Sequence, residues 1–156
     1  MNKKILFALS AVIVALVAVG TVSAFEIPGL GSLFGSEPDQ NITLDGETFH
    51  IPGTFKENLN VSKNGTVDKY YSFNTTTYER GYLNGTNYIN VIIYDYEGTE
   101  PDENLINYMN GTSKNISEVK GYQYYDGVGY TFTYPVDNKV IAIQSDNEDI
   151  IAHVIA

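Results

Sequence analysis

The run YINVIIYDY, Tyr88 to Tyr96, decides the fold, because it is the most strand-like stretch of the chain. β-branched and aromatic residues fill it, and both types favour a pleated sheet. Side chains alternate between the two faces of a strand, so one face carries Ile89, Val91 and Ile93. The other face carries Tyr88, Ile92, Tyr94 and Tyr96. The sequence therefore predicts a strand with one aliphatic face and one mainly aromatic face.

Turn signals divide the sequence around this run into further strands. Asp45-Gly46 predicts a hairpin between Ile42–Leu44 and Glu47–Ile51, and Asn84-Gly85 predicts a turn just before the central run. Other strands are predicted over 67–73, 116–125, 129–134 and 139–145, with turns at Asp126-Gly127 and Asp137-Asn138. Residues 74–78 either extend the 67–73 strand or form a turn. Because hairpin turns join antiparallel neighbours, the sheet is expected to be antiparallel.

Two amphipathic segments predict short helices that cover this sheet. The first spans about 100–111, with Thr99 as its N-cap and an apolar stripe formed by Leu105, Ile106 and Met109. The second spans about 146–155, with Asp146 as its cap. Its apolar face consists of Ile150, Ile151, Val154 and Ile155. The predicted fold class is α+β, a mainly antiparallel sheet of about six strands covered by two short helices.

This layout resembles the Mog1/PsbP-type fold. The resemblance rests on Phe49-x-Ile51-Pro52 with Phe55 in the opening hairpin, on the mid-chain helix, and on the closing segment IAIQSDNEDIIAHVI. It covers about residues 42–155 and implies an adaptor or assembly role rather than catalysis. The whole chain also resembles small, Asn- and Tyr-rich exported proteins of methanogenic archaea.

The first 24 residues have the features of a secretory signal peptide. Lys3 and Lys4 precede an apolar stretch, and Val22-Ser23-Ala24 supplies the small residues of a cleavage site. The apolar stretch of about 18 residues also reaches the lower limit for an uncleaved membrane anchor. The Gly- and Pro-rich segment 25–40 is predicted to be a flexible tether, and 41–156 a single domain. We expect export to the cell surface or beyond, with membrane contact only through residues 1–24.

Charge and composition exclude several kinds of partner and cofactor. Without residues 1–24 the chain keeps seven basic residues against 19 acidic ones, a net charge of −12. Nucleic-acid binding depends on clustered Lys and Arg, so it is not expected. The chain has no cysteine, which excludes disulfides, thiolate metal ligands and a thiol nucleophile. No cofactor is predicted, and the sequence does not indicate an oligomeric state.

Seven Asn-x-Ser/Thr triplets predict N-glycosylation. Roughly two would arise by chance at this composition. They begin at Asn41, Asn60, Asn64, Asn74, Asn84, Asn110 and Asn115. Three of them read Asn-Gly-Thr, and because Asn-Gly is also a favoured turn pair, turn chemistry alone accounts for some of the triplets.

An acidic cluster follows the central strand and is a candidate Ca²⁺ site. It consists of Asp95, Glu97, Glu100, Asp102 and Glu103. Clustered carboxylates supply the hard oxygen ligands that Ca²⁺ prefers, but acidic residues also favour helix N-termini through the helix dipole. The same residues are the carboxylates of an alternative hypothesis, a small extracytoplasmic hydrolase.

Tyrosines form a candidate aromatic binding face. They are Tyr88, Tyr94, Tyr96, Tyr122, Tyr124, Tyr130 and Tyr134. Tyrosine offers an apolar ring and a hydroxyl, which suits contact with sugars or proteins. The alternative is that these rings pack within the core of a chain that has no Trp and no disulfide.

No catalytic motif occurs in the sequence. Of the two histidines, His50 is expected in a strand and His153 on a solvated helix face. The sequence therefore predicts a non-enzymatic, exported or surface-displayed module that binds cell-envelope material or a protein. The hydrolase and an assembly or adaptor domain remain alternatives.

Overall fold

A computed structural model describes residues 35–70, 73–98, 101 and 111–155. Within these residues the chain forms nine strands followed by one short helix. The strands are β1 (Gln40–Leu44), β2 (Glu47–Ile51), β3 (Lys56–Tyr70), β4 (Phe73–Asn84), β5 (Asn87–Asp95), β6 (Thr112–Ile116), β7 (Val119–Tyr125), β8 (Tyr130–Val136) and β9 (Lys139–Ser145). The helix is α1 (Glu148–Ile155).

Seven strands form one sheet in the order β3-β4-β5-β9-β8-β7-β6, while β1 and β2 form a separate two-stranded sheet. All of these neighbours are antiparallel. The predicted central run becomes β5 and pairs with β4 and β9. A mainly antiparallel fold is therefore confirmed, and the described residues add a single short helix to it.

The main core lies on one face of the seven-stranded sheet, here called the helix face. Ile89, Val91 and Ile93 of β5 are fully buried there, as the alternation predicted. Three groups of residues complete the same core. They are Phe132, Ile141 and Ile143 from β8 and β9; Ile150, Ile151 and Val154 from α1; and Leu44, Phe49, Ile51 and Phe55 from the β1–β2 segment.

The other face of the sheet, here called the opposite face, carries a smaller apolar cluster. Tyr96 and Val140 are buried there, with Tyr94 and Tyr122 packed against them. The register pairs Tyr94 with Val140 and Ile92 with Ala142, which places these side chains on one side. Both faces of β5 are thus covered. The alternating side chains of the central run enter the main core on the helix face and the smaller cluster on the opposite face.

The described residues form nine strands instead of about six, and the predicted strand 116–125 overlaps two of them, β6 at Ile116 and β7 at 119–125. It breaks at Ser117 and Glu118, whose φ angles of 48° and 68° form a tight turn between β6 and β7. Non-glycine residues rarely adopt positive φ. Neither residue belongs to an Asn-Gly or Asp-Gly pair, the pairs that indicate such turns in a sequence. The sequence pattern therefore did not predict the turn between β6 and β7.

Strand β3 is much longer than the predicted strand 67–73. It begins at Lys56 and ends at Tyr70, while Phe73, the last residue of the predicted strand, belongs to β4 and pairs with Tyr70. Residues 56–66 are mostly polar and show no alternation, because their pairing with β4 is interrupted by two register shifts. A bulged edge strand leaves little periodicity in the sequence.

The C-terminal helix is confirmed, but its cap is not the one predicted. Asn147 caps the helix, because its Oδ1 accepts a hydrogen bond of 3.0 Å from the Asp149 amide. Asp146 instead accepts one of 3.2 Å from the Tyr88 amide. The helix predicted over 100–111 lies outside the described residues apart from Pro101 and Gly111. Among the described helices, none has the length and apolar character needed to cross a membrane.

The last residues of the predicted tether contact the folded domain. Glu37 forms a 2.9 Å ion pair with Lys56. Gln40 donates a 2.7 Å hydrogen bond from Nε2 to the carbonyl of Phe55. The segments predicted as leader (1–24) and as the first part of the tether (25–34) lie outside the described residues.

Candidate binding site

The turn between β7 and β8 is held by the carboxylate of Asp126. Its Oδ1 accepts hydrogen bonds from the amides of Val128 (2.8 Å) and Gly129 (2.9 Å). The Asp126 amide donates to the Gly129 carbonyl over 3.2 Å, which closes the turn. Gly127 has φ of 93°, a conformation that glycine adopts without steric cost. The predicted Asp126-Gly127 turn is therefore confirmed.

The same hydrogen bonds favour the ionised form of the Asp126 carboxylate. The Gly129 amide, followed by that of Val128, lowers the pKa of Asp126 below its ordinary value, because hydrogen bonds to a carboxylate favour its charged form. A carboxylate that is ionised at all physiological pH values therefore keeps the turn closed.

Exposed apolar side chains concentrate at this turn. The described residues include six large hydrophobic side chains that are exposed, and three of them lie within the five residues from 124 to 128. Tyr124 is 47% exposed, Tyr125 53% and Val128 74%. Tyr125 also packs on Tyr130, with ring centroids 4.7 Å apart. We call these four residues, Tyr124, Tyr125, Val128 and Tyr130, the hairpin tip.

Tyr88 lies against the turn at Gly129. A Cβ atom added to Gly129 would lie 2.0 Å from the Tyr88 hydroxyl oxygen and 2.9 Å from the Ser145 carbonyl. Glycine at this position thus allows the turn to rest directly on Tyr88. Burial, and then the nearby carboxylates of Asp126 and Asp146, raise the pKa of Tyr88. Its phenol therefore stays protonated at physiological pH.

The predicted aromatic face is divided between the two sides of the sheet. Tyr122 pairs with Thr133 and Tyr124 with Thr131, so these two tyrosines lie on the opposite face with Tyr88, Tyr94 and Tyr96. Tyr130 and Tyr134 lie on the helix face with Phe132. Tyr96 and Tyr134 are 3% and 6% exposed, which leaves no ring surface for a ligand. Of the seven predicted tyrosines, only Tyr124 is largely exposed.

Two of the five residues in the predicted acidic cluster are described, and their carboxylates organise the end of β5. Asp95 Oδ1 accepts hydrogen bonds from Asn138 Nδ2 (2.5 Å) and from the Glu97 amide (2.9 Å). Glu97 Oε1 accepts one from the Thr76 hydroxyl (2.8 Å). Glu100, Asp102 and Glu103 lie outside the described residues. In the part of the chain that the structure describes, no three metal-ligating side chains come together.

Six of the seven sequon asparagines are described, and five of these are exposed. The exposed ones are Asn41, Asn60, Asn64, Asn74 and Asn115. Asn84 is half-buried and donates a 3.3 Å hydrogen bond to Thr54. Asn41 Oδ1 lies 2.8 Å from Nδ1 of His50 and accepts a hydrogen bond from this ring nitrogen. Asn110 lies outside the described residues.

The histidines each have a partner that the sequence did not indicate. His50 lies opposite Asn41 across the β1–β2 pair. The Nε2 of His153 lies 2.8 Å from Asp39 Oδ2, and its side chain is 20% exposed, so it is not a freely solvated helix residue. The first contact joins β1 to β2, and the second joins the segment before β1 to α1.

Comparison with protein-family models, with curated proteins and with solved structures finds no match to this chain. The function is therefore inferred from the chain's own residues. The hairpin tip is the feature that the sequence analysis missed in part, since Tyr125 and Val128 were not predicted as site residues. The signal in the sequence is the Asp126-Gly127 turn with aromatic residues on both sides, Tyr124 and Tyr125 before it and Tyr130 after it.

Asp126→Ala is expected to open the turn and to speed hydrogen exchange several-fold at the amides of Val128 and Gly129. The reason is that both amides lose their acceptor. The measurement is amide exchange by NMR. In the wild type this protection is present above the ordinary carboxyl pKa of about 3.9 and is lost as pH falls through the lowered pKa of Asp126. Asp126→Asn, which keeps an acceptor oxygen, should retain protection without the pH dependence; equal exchange in all three proteins would contradict this account.

Proposed function

We propose that this protein is an exported, surface-displayed and glycosylated module without catalytic activity, which binds cell-envelope material through the hairpin tip. The observation that carries the proposal is the concentration of exposed apolar side chains at the end of one hairpin whose turn is fixed by Asp126, with Tyr124 on the opposite face and Tyr125 and Tyr130 on the helix face. Isolated exposed apolar residues are common, whereas clustered ones indicate an interaction site. The leader-like residues 1–24 and the five exposed sequon asparagines support the proposed location.

Rigidity and ring chemistry favour recognition at this place. Tyrosine gives a large contact area with few rotatable bonds, so little conformational entropy is lost on binding. Tyr125 is already held against Tyr130, and the turn rests on Tyr88. Tyrosine rings present an apolar body with a polar hydroxyl, which suits the sugar units of envelope polymers.

We also propose that the fold is a variant of the Mog1/PsbP type and that the chain belongs with the small exported Asn- and Tyr-rich archaeal proteins. Support comes from the residues of the resemblance. Phe49, Ile51 and Phe55 of the opening hairpin are fully buried in one core with the closing helix. An experimentally determined structure of the whole chain that includes residues 99–110 tests this, because the type requires a mid-chain helix there.

The binding proposal is tested by co-sedimentation of the purified protein with isolated cell envelopes of the producing organism. Combined Tyr124→Ser, Tyr125→Ser and Val128→Ser substitutions are expected to weaken binding at least about tenfold, because truncated aromatic anchors typically cost 2 kcal/mol or more. The matched control is Leu59→Ser with Val67→Ser, which removes two equally exposed apolar side chains on β3.

Two outcomes would contradict the proposal. One is equal binding by both variants, and the other is no binding by the wild type. Protease treatment of the envelopes identifies the ligand class, since a carbohydrate ligand survives it and a protein partner does not. Loss of binding after protease treatment would indicate that the ligand at this site is a protein and not an envelope polymer.

A further inference from the structure

The seven-stranded sheet ends in two strands, β3 and β6, that each pair on one side only within the described residues. An edge strand presents unpaired amides and carbonyls on which another chain can pair. Strand β3 is 15 residues long, well above the usual five to six residues. An exported protein with such an edge needs a device that prevents edge-to-edge association.

The side chains of β3 protect this edge only in part. Leu59 and Val67 on β3 are 75% and 72% exposed. Lysines often blunt an edge by their charge, but two of the three lysines of β3 form ion pairs within the molecule. Lys56 pairs with Glu37 at 2.9 Å and Lys63 with Glu79 at 3.3 Å, while Arg80 of the neighbouring strand pairs with Glu57 at 3.5 Å.

Sequon asparagines stand on both edge strands. Four residues of β3, from 59 to 62, face the single residue Arg80, and this first bulge contains Asn60-Val61-Ser62. The second register shift, between Asn64 and Thr66, lies within Asn64-Gly65-Thr66. Asn60 follows the exposed Leu59, and the second triplet precedes the exposed Val67. On the other edge, Asn115 of β6 is exposed and begins Asn115-Ile116-Ser117.

We infer that N-linked glycans on Asn60, Asn64 and Asn115 cover the two open edges of the sheet and prevent edge-to-edge association. An N-linked glycan is bulky and solubilising, so it excludes a second strand from the backbone groups beside it. It also shields the neighbouring apolar residues of β3. This inference rests on the glycosylation in the proposed function and adds a role for three particular sites.

The test begins with glycopeptide mapping of the full chain purified from its native host. Glycans are expected at Asn60, Asn64 and Asn115. The combined variant Asn60→Gln, Asn64→Gln and Asn115→Gln is then compared with the wild type by size exclusion with light scattering over a concentration series. We expect its mass to rise about twofold or more with concentration, while the wild type keeps one mass.

The control variant is Thr43→Ala with Thr86→Ala. It removes the sequons of Asn41 and Asn84, which lie outside β3 and β6, and leaves both asparagines and their hydrogen bonds intact. We expect the control to keep the wild-type mass. Circular dichroism of each variant verifies that the sheet is retained, so that association is not a result of unfolding.

Three results separate this inference from the proposed function. Glycans confined to other sites would overturn the inference alone. Glycans on the three asparagines, together with an edge variant that keeps the wild-type mass, would also overturn the inference alone. Seven unmodified asparagines would overturn both the inference and the glycosylation in the proposed function.

Discussion

Phe132→Ala is expected to lower the free energy of unfolding by about 3–5 kcal/mol, the range for truncating a fully buried Phe. Phe132 has no exposed surface and lies on the helix face between Ile143 of β9 and Gln123 of β7 in the strand register. Its ring centroid is 5.6 Å from that of Tyr134.

The absence of a side chain at Gly121 makes room for this ring. A Cβ atom there would lie 2.6 Å from Phe132 Cζ and 2.5 Å from the Thr133 carbonyl. Removal of the ring therefore leaves a cavity that the backbone cannot easily close. The loss is measured by urea unfolding followed by circular dichroism. Val67→Ala, at a position that is 72% exposed, should stay within about 0.5 kcal/mol of the wild type. Similar losses in the two variants would show that the core is not centred on this face.

Lys139→Met is expected to lower the free energy of unfolding by about 2–3 kcal/mol, because it leaves carboxylates without their cation. Lys139 at the start of β9 joins the sheet to the β1–β2 turn. Its Nζ lies 3.1 Å from Asp45 Oδ2 and 3.4 Å from Glu47 Oε1, and it donates to the Asp45 carbonyl as well. The Lys139 side chain is only 16% exposed.

The pH dependence of Lys139→Met follows from the raised pKa of this lysine. Burial acts to lower the pKa, but Asp45 and then Glu47 raise it above the ordinary value. The stabilisation is therefore fully present below the unfolded pKa of about 10.4 and is lost as pH rises through the higher folded pKa. The difference between wild type and variant should be constant at neutral pH and disappear in strong alkali.

Lys56→Met is the matched control for Lys139→Met. Lys56 forms a similar ion pair with Glu37, but the two side chains are 71% and 57% exposed. Exposed pairs contribute about 0–1 kcal/mol, so this variant should unfold close to the wild type. An equal effect of both substitutions would contradict the role given to the Asp45–Glu47–Lys139 contacts.

The sequence predicted those parts of the fold in which a single local pattern determines the structure. Alternation along Tyr88–Tyr96 assigned Ile89, Val91 and Ile93 to the core, and Asp-Gly pairs located the β1–β2 and β7–β8 turns. The apolar face of the last helix was also predicted, since Ile150, Ile151 and Val154 are fully buried. In each case the periodicity is regular and the residue types agree with it.

Prediction failed where tertiary contacts decide the local structure. The turn at Ser117 and Glu118 uses positive φ without glycine, and Ser117 is held there by a 3.0 Å hydrogen bond to the Ala152 carbonyl of α1. Strand β3 lacks alternation because its bulges shift the register against β4. The sequence also could not assign the tyrosines to faces, because Tyr122 and Tyr130 belong to neighbouring strands whose relative register is set by the turn between them.

The candidate site was predicted only through Tyr124 and Tyr130. Exposure is a property of the packed molecule, and among alternating tyrosines it depends on which strands and turns cover each ring. Tyr96 and Tyr124 follow similar patterns in the sequence, yet the first is buried beside Val140 and the second is 47% exposed. Val128 lies in the turn that Asp126 closes and is 74% exposed.

The most direct test of binding through the hairpin tip uses the absence of cysteine from the chain. Val128→Cys and Val67→Cys each introduce one thiol at positions that are 74% and 72% exposed. The rate of alkylation of each thiol is measured with and without isolated cell envelopes. The account predicts that envelopes slow the alkylation at position 128 and leave the rate at position 67 unchanged. Equal rates at position 128 with and without envelopes, under conditions in which the protein is bound, would contradict it.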